Sequence, residues 1–410
     1  MTVIEGIFIR KILDSRGNPT VEVDIITPLG FGTAAAPSGA STGEHEVAAI
    51  PKKGIDAAIV SFRKEVIPRL IGMDTLEQGA VDDALKAIDG TANLERIGGN
   101  LIVATSMAAA KAAADAMHIP LYLYLGGRFG GNMPFPFGNV LGGGRHAIGG
   151  TNIQEFMAVA MENTATVSIF ANAMVHKEVS KALQAKFPGV AIGKGDEGAW
   201  VAKCTDEEAL DLVTKACARV SASEKITIKP ALDVAASELY DDKTKVYKYD
   251  GGKKLLAPKK QIDFITTLIE KAELHSVEDP LEQNDFQGYA ELTDKVGDHC
   301  TIIGDDLFVT NIARLQKGIE MGACNAILIK PNQCGTLTDT INCIKYAHDH
   351  KYRTVISHRS GETTDETIAH IAVAFGAHGI KTGAVGGERI AKLNELVRIE
   401  ETYNKVDVQS

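Results

Sequence analysis

The sequence predicts an α/β protein, a TIM-type (β/α)8 barrel preceded by a smaller α+β domain. From about residue 130 onward, short apolar runs alternate with helix-length amphipathic stretches, as parallel strand–helix units do. Six of those runs each end in a polar or charged residue, and the last five ends lie about 25 residues apart, the length of one such unit. These features favour a closed barrel with its functional groups on one rim.

The first 127 residues predict the α+β domain. Residues 3–35 are predicted strands, since Val21, Val23 and Ile25 alternate with acidic residues. A loop of small residues follows at 37–43. Helical patterns then occupy residues 55–71, 76–88 and 99–117. We therefore expect one domain at 1–127, capping a catalytic barrel at 128–410.

The barrel strands are predicted from apolar runs at 226–232, 274–277, 301–303, 326–329, 354–357 and 379–380. The residues at their ends are Asp233, Glu278, Asp305, Lys330, His358 and Lys381. An open doubly wound sheet would show the same alternation, but its ligands cluster at a single switch point. Six successive functional strand ends fit a closed ring better.

Composition excludes several classes of protein. A net charge of −10 argues against nucleic acid and anionic membranes as partners, although not against a small anionic substrate. The six cysteines include no C-x-x-C pair, which argues against disulfides and zinc and for reduced thiols in the cytoplasm. No apolar run resembles a signal peptide or reaches the roughly 20 residues of a membrane helix.

Three acidic residues at neighbouring strand ends, Asp233, Glu278 and Asp305, predict a metal site. Three converging carboxylates would repel one another unless a cation lay among them, and oxygen ligands favour Mg²⁺. Each acid could instead cap the helix that follows it. Three in succession, with lysines completing the ring, favour the metal.

Further groups predict acid–base chemistry on an anion. Burial beside Mg²⁺ and Lys381 should lower the pKa of Lys330 and make it a neutral base. Glu197 and Glu155 on loops supply the acid partner that such a base needs. The segment His358-Arg359-Ser360 offers donors for a phosphate or carboxylate, and His146 adds another.

With these residues placed, the chain resembles enolases over essentially its whole length, the archaeal members above all. The matching motifs lie at residues 14–20 (DSRGNPT), 37–43 (PSGASTG), 195–198 (GDEG), 276–280 (SVEDP), 304–307 (GDDL), 330–333 (KPNQ), 357–362 (SHRSGE) and 380–383 (IKTG). The chain departs from many relatives at Val385-Gly386-Gly387 and at Ala199-Trp200. No catalytic group is lost at either place.

The resemblance implies reversible dehydration of 2-phosphoglycerate to phosphoenolpyruvate, a barrel with an irregular ββαα start, and a homo-dimer or octamer. It implies that Lys330 is the base, Glu197 the acid and Glu155 its assistant, with His358 also catalytic. Substrate would be held by His146, Gln154, Glu155, Lys330, Arg359, Ser360 and Lys381. One Mg²⁺ would bind Asp233, Glu278 and Asp305, and a second would enter with substrate beside Ser41.

Two other functions stay open at this point. A related enzyme could act on a non-phosphorylated acid, although such relatives typically lack the 38–42 loop and the Glu197 turn. A non-catalytic binding or structural protein could keep the fold, but recruitment of that kind usually tolerates loss of the base or the metal acids. An assay for phosphoenolpyruvate formation separates all three.

Overall fold

The computed structural model describes residues 1–39, 43–126, 133–147 and 149–408, with side chains to 402. The amino-terminal domain is a three-stranded antiparallel sheet of β1 (Gly6–Leu13), β2 (Pro19–Ile26) and β3 (Phe31–Ala35). Its helices are α1 (Ile55–Glu65), α2 (Ile67–Leu70), α3 (Gln78–Asp89), α4 (Gly99–Ala116) and α5 (Leu121–Gly126). The predicted strands and helices of this domain are confirmed. The predicted boundary at 127/128 lies outside the described residues.

Helix α4 packs tightly on the sheet because both surfaces are made of small residues. A Cβ on Gly32 would lie 2.1 Å from the Ala108 carbonyl oxygen, so β3 tolerates only glycine there. At its other side, Lys111 of α4 pairs with Asp365 at 3.1 Å and Glu366 at 3.0 Å, both in the barrel. The small domain is thus held against the barrel by a buried ion-pair cluster.

The second domain is a closed eight-stranded barrel, as predicted. Its strands are β4 (Phe135–Gly142), β5 (Glu155–Ala160), β6 (Ile228–Asp233), β10 (Ser276–Glu278), β11 (Thr301–Gly304), β12 (Ala326–Ile329), β13 (Arg353–Ser357) and β14 (Gly379–Lys381). Its helices are α6 (Ala165–Lys186), α7 (Asp206–Glu224), α8 (Pro258–Ala272), α9 (Phe286–Val296), α10 (Ile312–Met321), α11 (Pro331–Cys334), α12 (Leu337–Asp349), α13 (Thr367–Ala374) and α14 (Gly387–Val408). A hairpin sheet of β7 (Tyr240–Asp241), β8 (Val246–Tyr249) and β9 (Lys254–Leu256) is inserted after β6.

Strand β5 gives the barrel its irregular start. It runs antiparallel to both neighbours, β4 and β6, and two helices follow it before the chain returns in β6. This ββαα beginning is the one implied by the resemblance. The later strands are parallel and continuously apolar; all four residues of β12 are buried, as expected for a strand covered on both faces.

The amino-terminal end of the barrel is closed by aromatic rings. His275 precedes β10 and His378 precedes β14, on opposite sides of the barrel, and their Nε2 atoms lie 3.2 Å apart in nearly coplanar rings. Phe137 packs edge-on against His275 and Phe135 against His378.

Among the helices that the structure describes, none combines the length and the apolar character of a membrane span.

Candidate active site

The six polar strand ends lie together at the carboxyl rim of the barrel. Parallel strands of similar length end at one edge, so residues far apart in sequence become neighbours there. The cavity at this rim is lined by five of the six predicted strand-end groups and by other predicted site residues. They are His146, Gln154, Glu155, Glu197, Asp233, Asp305, Lys330, His358, Arg359, Ser360 and Lys381. Glu155, expected on a loop, is the first residue of β5.

Lys381 lies among three acids. Its Nζ is 2.9 Å from Asp233 Oδ2, 2.8 Å from Glu278 Oε2 and 3.1 Å from Glu155 Oε1. All four side chains are almost fully buried. Burial alone would lower the pKa of Lys381, but the surrounding carboxylates outweigh it and hold the pKa well above its usual value. The lysine therefore stays charged and neutralises part of this acidic group.

Lys330 is paired with the remaining predicted metal ligand. Its Nζ contacts Asp305 Oδ2, and the second oxygen of Asp305 accepts from Gln333 Nε2 at 3.1 Å. Burial would lower the pKa of Lys330, but the charge of Asp305 raises it. The lowering of this pKa beside bound Mg²⁺ stays a prediction, and the Asp305 ion pair opposes it.

The acidic groups fit a divalent cation chemically. Oε1 of Glu278 and Oε2 of Glu155 are buried without a hydrogen-bond partner. Burial, followed by the charge of Asp233, raises the pKa of Glu278 well above its usual value, so Lys381 compensates its anion only in part. A hard cation with oxygen ligands removes both deficits.

The oxygens of Asp233, Glu278 and Asp305 are not gathered around one point. In the described part of the chain, two groups place their ligand atoms within 4.8 Å of one another. These are His146 with Glu155 and Glu197, and Asp279 with Asp305 and Asp306. The three predicted ligands are separated because Lys381 pairs with two of them and Lys330 with the third. Their convergence on a common metal stays a prediction, and Ser41 lies outside the described residues.

Glu197 sits between two imidazoles. Its Oε1 is 3.2 Å from His358 Nε2 and 3.6 Å from His146 Nδ1, while Oε2 accepts from Asn139 Nδ2 at 3.1 Å. His146 Nδ1 is also 3.5 Å from Glu155 Oε1. Glu155, Glu197 and His358 are each no more than 2% exposed, so protons exchanged among them are shielded from water.

Burial and neighbouring charges shift the pKa values of these acids and imidazoles in different directions. Burial and then the charge of Glu197 raise the pKa of Glu155 well above its usual value. Burial lowers the pKa of His358 to about 4, so its imidazole is neutral at pH 7. For Glu197, burial is outweighed by the two imidazoles, and the pKa is lowered. Burial and the neighbouring charges thus favour protonation of Glu155 over that of Glu197.

The guanidinium of Arg359 has the donors that suit an anion, and these donors are paired with other protein groups. It pairs with Glu46 of the small domain at 2.9 Å and donates to Asn332 Oδ1 at 2.9 Å. Gln154 donates to Asp233 Oδ2 at 3.2 Å. Sequence reasoning gave roles to Arg359 and Gln154, but it gave none to Glu46, which only belonged to a matching motif with His45 and lies 313 residues from Arg359.

Two further residues shape the rim and were not predicted. Asp279 has a left-handed backbone with φ of 41° and accepts from the amides of Asp305 at 2.9 Å and Asp306 at 2.8 Å. Arg389, in the first turn of α14, is fully buried and binds two rim segments. A charged residue in a first helical turn normally predicts a solvated position, so the sequence carried no signal for Arg389.

Known proteins match both domains. The family model described as the enolase N-terminal domain matches residues 4–125, and the model described as the enolase C-terminal TIM barrel domain matches residues 131–408. The chain is 53% identical to an enolase of Methanothermobacter thermautotrophicus over 404 residues, 98% of this chain and 97% of that protein. It is 53% identical to an enolase of Halorubrum lacusprofundi over 402 residues, covering 97% and 99% of the two chains. An enolase of Thermoplasma acidophilum is 46% identical over 398 residues, covering 97% and 98%. With the capping domain, the closed barrel and its charged rim, these matches establish that the chain belongs to the enolase family.

Proposed function

We propose that this protein is a phosphopyruvate hydratase, a lyase of glycolysis and gluconeogenesis that interconverts 2-phosphoglycerate and phosphoenolpyruvate. One observation beyond family membership carries the proposal. A buried lysine, Lys330, and a shielded proton-sharing group, Glu155 with Glu197, line the same cavity. Elimination beside a carboxylate needs both a base and an acid in one water-poor site.

In this proposal Lys330 takes the proton from C2 of 2-phosphoglycerate. The C2–C3 double bond forms, the C3–O bond breaks, and the hydroxyl leaves as water with a proton from Glu197. Glu155 holds that proton in the free protein and passes it to Glu197. The Nε2–H of His358 stabilises the Glu197 carboxylate once it has given up its proton. Lys330 becomes a base only once Asp305 no longer pairs with it, because the ion pair keeps the ammonium protonated.

His146, Gln154, Arg359, Ser360 and Lys381 would hold the substrate, together with Glu155 and Lys330. Asp233, Glu278 and Asp305 would hold one Mg²⁺, and a second would enter with substrate beside Ser41. When bound, Mg²⁺ supplies positive charge to the carboxylate of the substrate, which makes the C2 proton removable. The buried, unpartnered oxygen of Glu278 supports this ligand set.

The test follows phosphoenolpyruvate by its ultraviolet absorbance as 2-phosphoglycerate is added with Mg²⁺. We expect an absorbance increase that disappears with a chelator and returns with Mg²⁺. Lys351→Ala, at an exposed lysine outside the rim, serves as the control and should keep full activity. Absence of any Mg²⁺-dependent signal from the purified protein would reject the proposal, leaving a non-phosphorylated substrate or a binding role.

We further propose a cytoplasmic homo-oligomer, a dimer or an octamer. Exposed apolar side chains support self-association, among them Phe8 at 58% and Leu13 at 71% exposure on β1. Light scattering coupled to size exclusion measures the mass directly. A monomeric mass at micromolar concentration would contradict this part of the proposal.

A further inference from the structure

We propose that Arg389 is a positioning residue that fixes the tautomer of His358, and through it the orientation of Glu197. The proposal rests on the proposed function, since it assigns Arg389 a part in proton delivery by Glu197. It concerns a residue that touches neither substrate nor metal ligand. Its proposed effect on proton delivery is transmitted through the imidazole of His358, and its bonds to backbone carbonyls hold the neighbouring segments.

The guanidinium of Arg389 joins two segments of the rim. It donates to His358 Nδ1 at 2.9 Å, to the Arg359 carbonyl at 2.6 Å and to the Ser360 carbonyl at 2.7 Å. It also reaches the Asp196 carbonyl, in the turn that carries Glu197, at 3.2 Å. One planar fork thus holds the His358 segment and the Glu197 segment in a fixed relation.

The contact with Nδ1 determines where His358 carries its proton. A guanidinium has donors and no acceptor, and it stays charged at any ordinary pH. Nδ1 of His358 must therefore be the accepting nitrogen. A neutral imidazole with an accepting Nδ1 carries its proton on Nε2, which faces Glu197 Oε1 at 3.2 Å.

The charges around His358 agree with a neutral ring. Glu197 lies at Nε2 and Arg389 at Nδ1, Glu362 is the other charged neighbour, and the ring is 2% exposed. Burial is the main cause of the lowering of its pKa to about 4, and the Arg389 charge adds to it. The neutral imidazole therefore turns its Nε2–H toward Glu197 at 3.2 Å, without a well-aligned hydrogen bond, and does not compete for the proton.

The loop before α14 is built around the stem of Arg389. A Cβ on Gly383 would lie 3.3 Å from Arg389 Cγ, and one on Gly386 would lie 3.2 Å from the same atom. Both glycines have positive φ, 69° and 121°. Gly386 belongs to the segment that departs from many relatives. At both positions the absence of a Cβ leaves room for the side chain of Arg389.

The consequence concerns the second half of the reaction. Once Glu197 has given its proton to the departing hydroxyl, its carboxylate is stabilised by the Nε2–H of His358. The opposite tautomer would face that carboxylate with a lone pair and oppose proton delivery. Removal of the C2 proton by Lys330 does not involve His358. Loss of Arg389 should therefore slow dehydration and spare exchange at C2.

The experiment compares the Mg²⁺-loaded wild-type protein with Arg389→Met and Arg389→Lys. Lysine keeps the charge but, as a single ammonium, cannot reach Nδ1 and the carbonyls together. Arg398→Met, at an arginine on the same helix whose side chain is 67% exposed, is the matched control. Three quantities are measured in each protein: the ¹⁵N–¹H correlations of labelled histidine, kcat and KM for dehydration, and deuterium exchange at C2. His358→Gln assigns the histidine signal.

We expect the Nε2–H pattern for His358 in the wild-type protein and in Arg398→Met, and its loss in both Arg389 variants. We expect kcat for dehydration to fall about 10²-fold in Arg389→Met, at the lower end of what general acid catalysis provides. Exchange at C2 and KM should change little. Where Arg389→Met fails to fold, Arg389→Lys carries the comparison.

Retention of the Nε2–H pattern in a folded Arg389 variant would overturn the proposal. So would equal losses in exchange and dehydration, which indicate a general structural defect. In the double variant Arg389→Lys/His358→Gln, the loss should not exceed that of His358→Gln alone; additive losses would also contradict the proposal. If wild-type protein lacks dehydration altogether, the proposed function fails, whereas the tautomer measurement still decides the role of Arg389.

Discussion

The two ends of the barrel handle buried polar groups in opposite ways. At the carboxyl rim, Asp233, Glu278 and Lys381 are buried as charges and pair with one another. At the amino-terminal end, His275 and His378 meet between phenylalanine rings through one Nε2 contact. Burial lowers the pKa of His275 to about 3 and that of His378 to about 4, so this pair is neutral at pH 7.

The difference shows at which end of the barrel the protein buries charged groups despite the free-energy cost of removing them from water. Taking an ion out of water costs several kcal/mol even when it is paired, and replacing a buried ion pair with apolar groups is often neutral or stabilising. At the amino-terminal end the buried polar groups, His275 and His378, are uncharged, which avoids that cost. The rim keeps its charges because base, acid and metal ligands must ionise there. We expect substitutions at the rim to change both activity and stability, and substitutions at the other end to change only stability.

Lys330→Ala is the strongest test of the rim. It removes the proposed base and leaves Asp305 without its cation, so exchange at C2 and dehydration should both fall by about 10⁴-fold or more. Binding of Mg²⁺ should persist, because the three acidic ligands remain. Hydrogen exchange at C2 is followed by NMR and Mg²⁺ binding by calorimetry. Substantial exchange by the variant would show that another group is the base.

Glu197→Gln separates the acid from the base. The amide keeps the shape of the side chain but has no proton to deliver, so dehydration should fall by about 10² to 10⁴-fold. Exchange at C2 should continue, since Lys330 is untouched. The same NMR experiment, combined with the absorbance assay, gives both rates. Equal loss of the two rates would contradict the assignment of Glu197 as the acid.

The sequence revealed those parts of the rim that follow from local pattern. Asp233, Lys330 and Lys381 each end an apolar run, and parallel strands carry such residues to one edge whatever the intervening helices are. The antiparallel direction of β5 was implied only by the resemblance, because a fully buried strand shows no alternation to indicate its faces. The hairpin sheet of β7 to β9 was not predicted at all.

Contacts between distant residues escaped prediction for a physical reason. The pairs Glu46 with Arg359 and Arg389 with His358 join residues on separate elements, and no periodicity along the chain encodes such a pair. The same limit explains why the ion pair of Lys330 with Asp305 was not predicted. The sequence showed that the lysine would be buried, but not that Asp305 would lie close enough to hold its proton.

Lys381→Met tests the cost of charge at the rim. The variant removes the shared partner of Asp233, Glu278 and Glu155, so in the presence of a chelator it should lose about 3–5 kcal/mol of unfolding free energy. Added Mg²⁺ should restore part of that loss by neutralising the same acids. Urea unfolding with and without Mg²⁺ measures both effects. Lys351→Met, at an exposed lysine, is the control and should lose little. A variant as stable as wild type in chelator would show that the rim charges are not interdependent.

The smallest effect is expected at the amino-terminal end. An unfolded histidine has a pKa near 6.5. Below that pH the unfolded chain binds protons at residues 275 and 378, whereas the folded His275 and His378 stay neutral, so folding loses stability. Burial is the main cause, and Arg353 adds to it at both rings. Their contribution is therefore complete above about pH 6.5 and is lost as the pH falls toward 4, by at most about 1.4 kcal/mol per pH unit for each ring.

The double variant His275→Phe/His378→Phe should remove this pH dependence while leaving activity at pH 7 unchanged. The difference in unfolding free energy between wild type and variant, measured between pH 7 and pH 5, isolates the two imidazoles from carboxylates common to both proteins. His299→Phe, at an exposed histidine, should keep the wild-type slope. A constant difference across that range would mean that the imidazole pair accepts a proton in the folded state, and that the amino-terminal end is not the neutral counterpart of the rim.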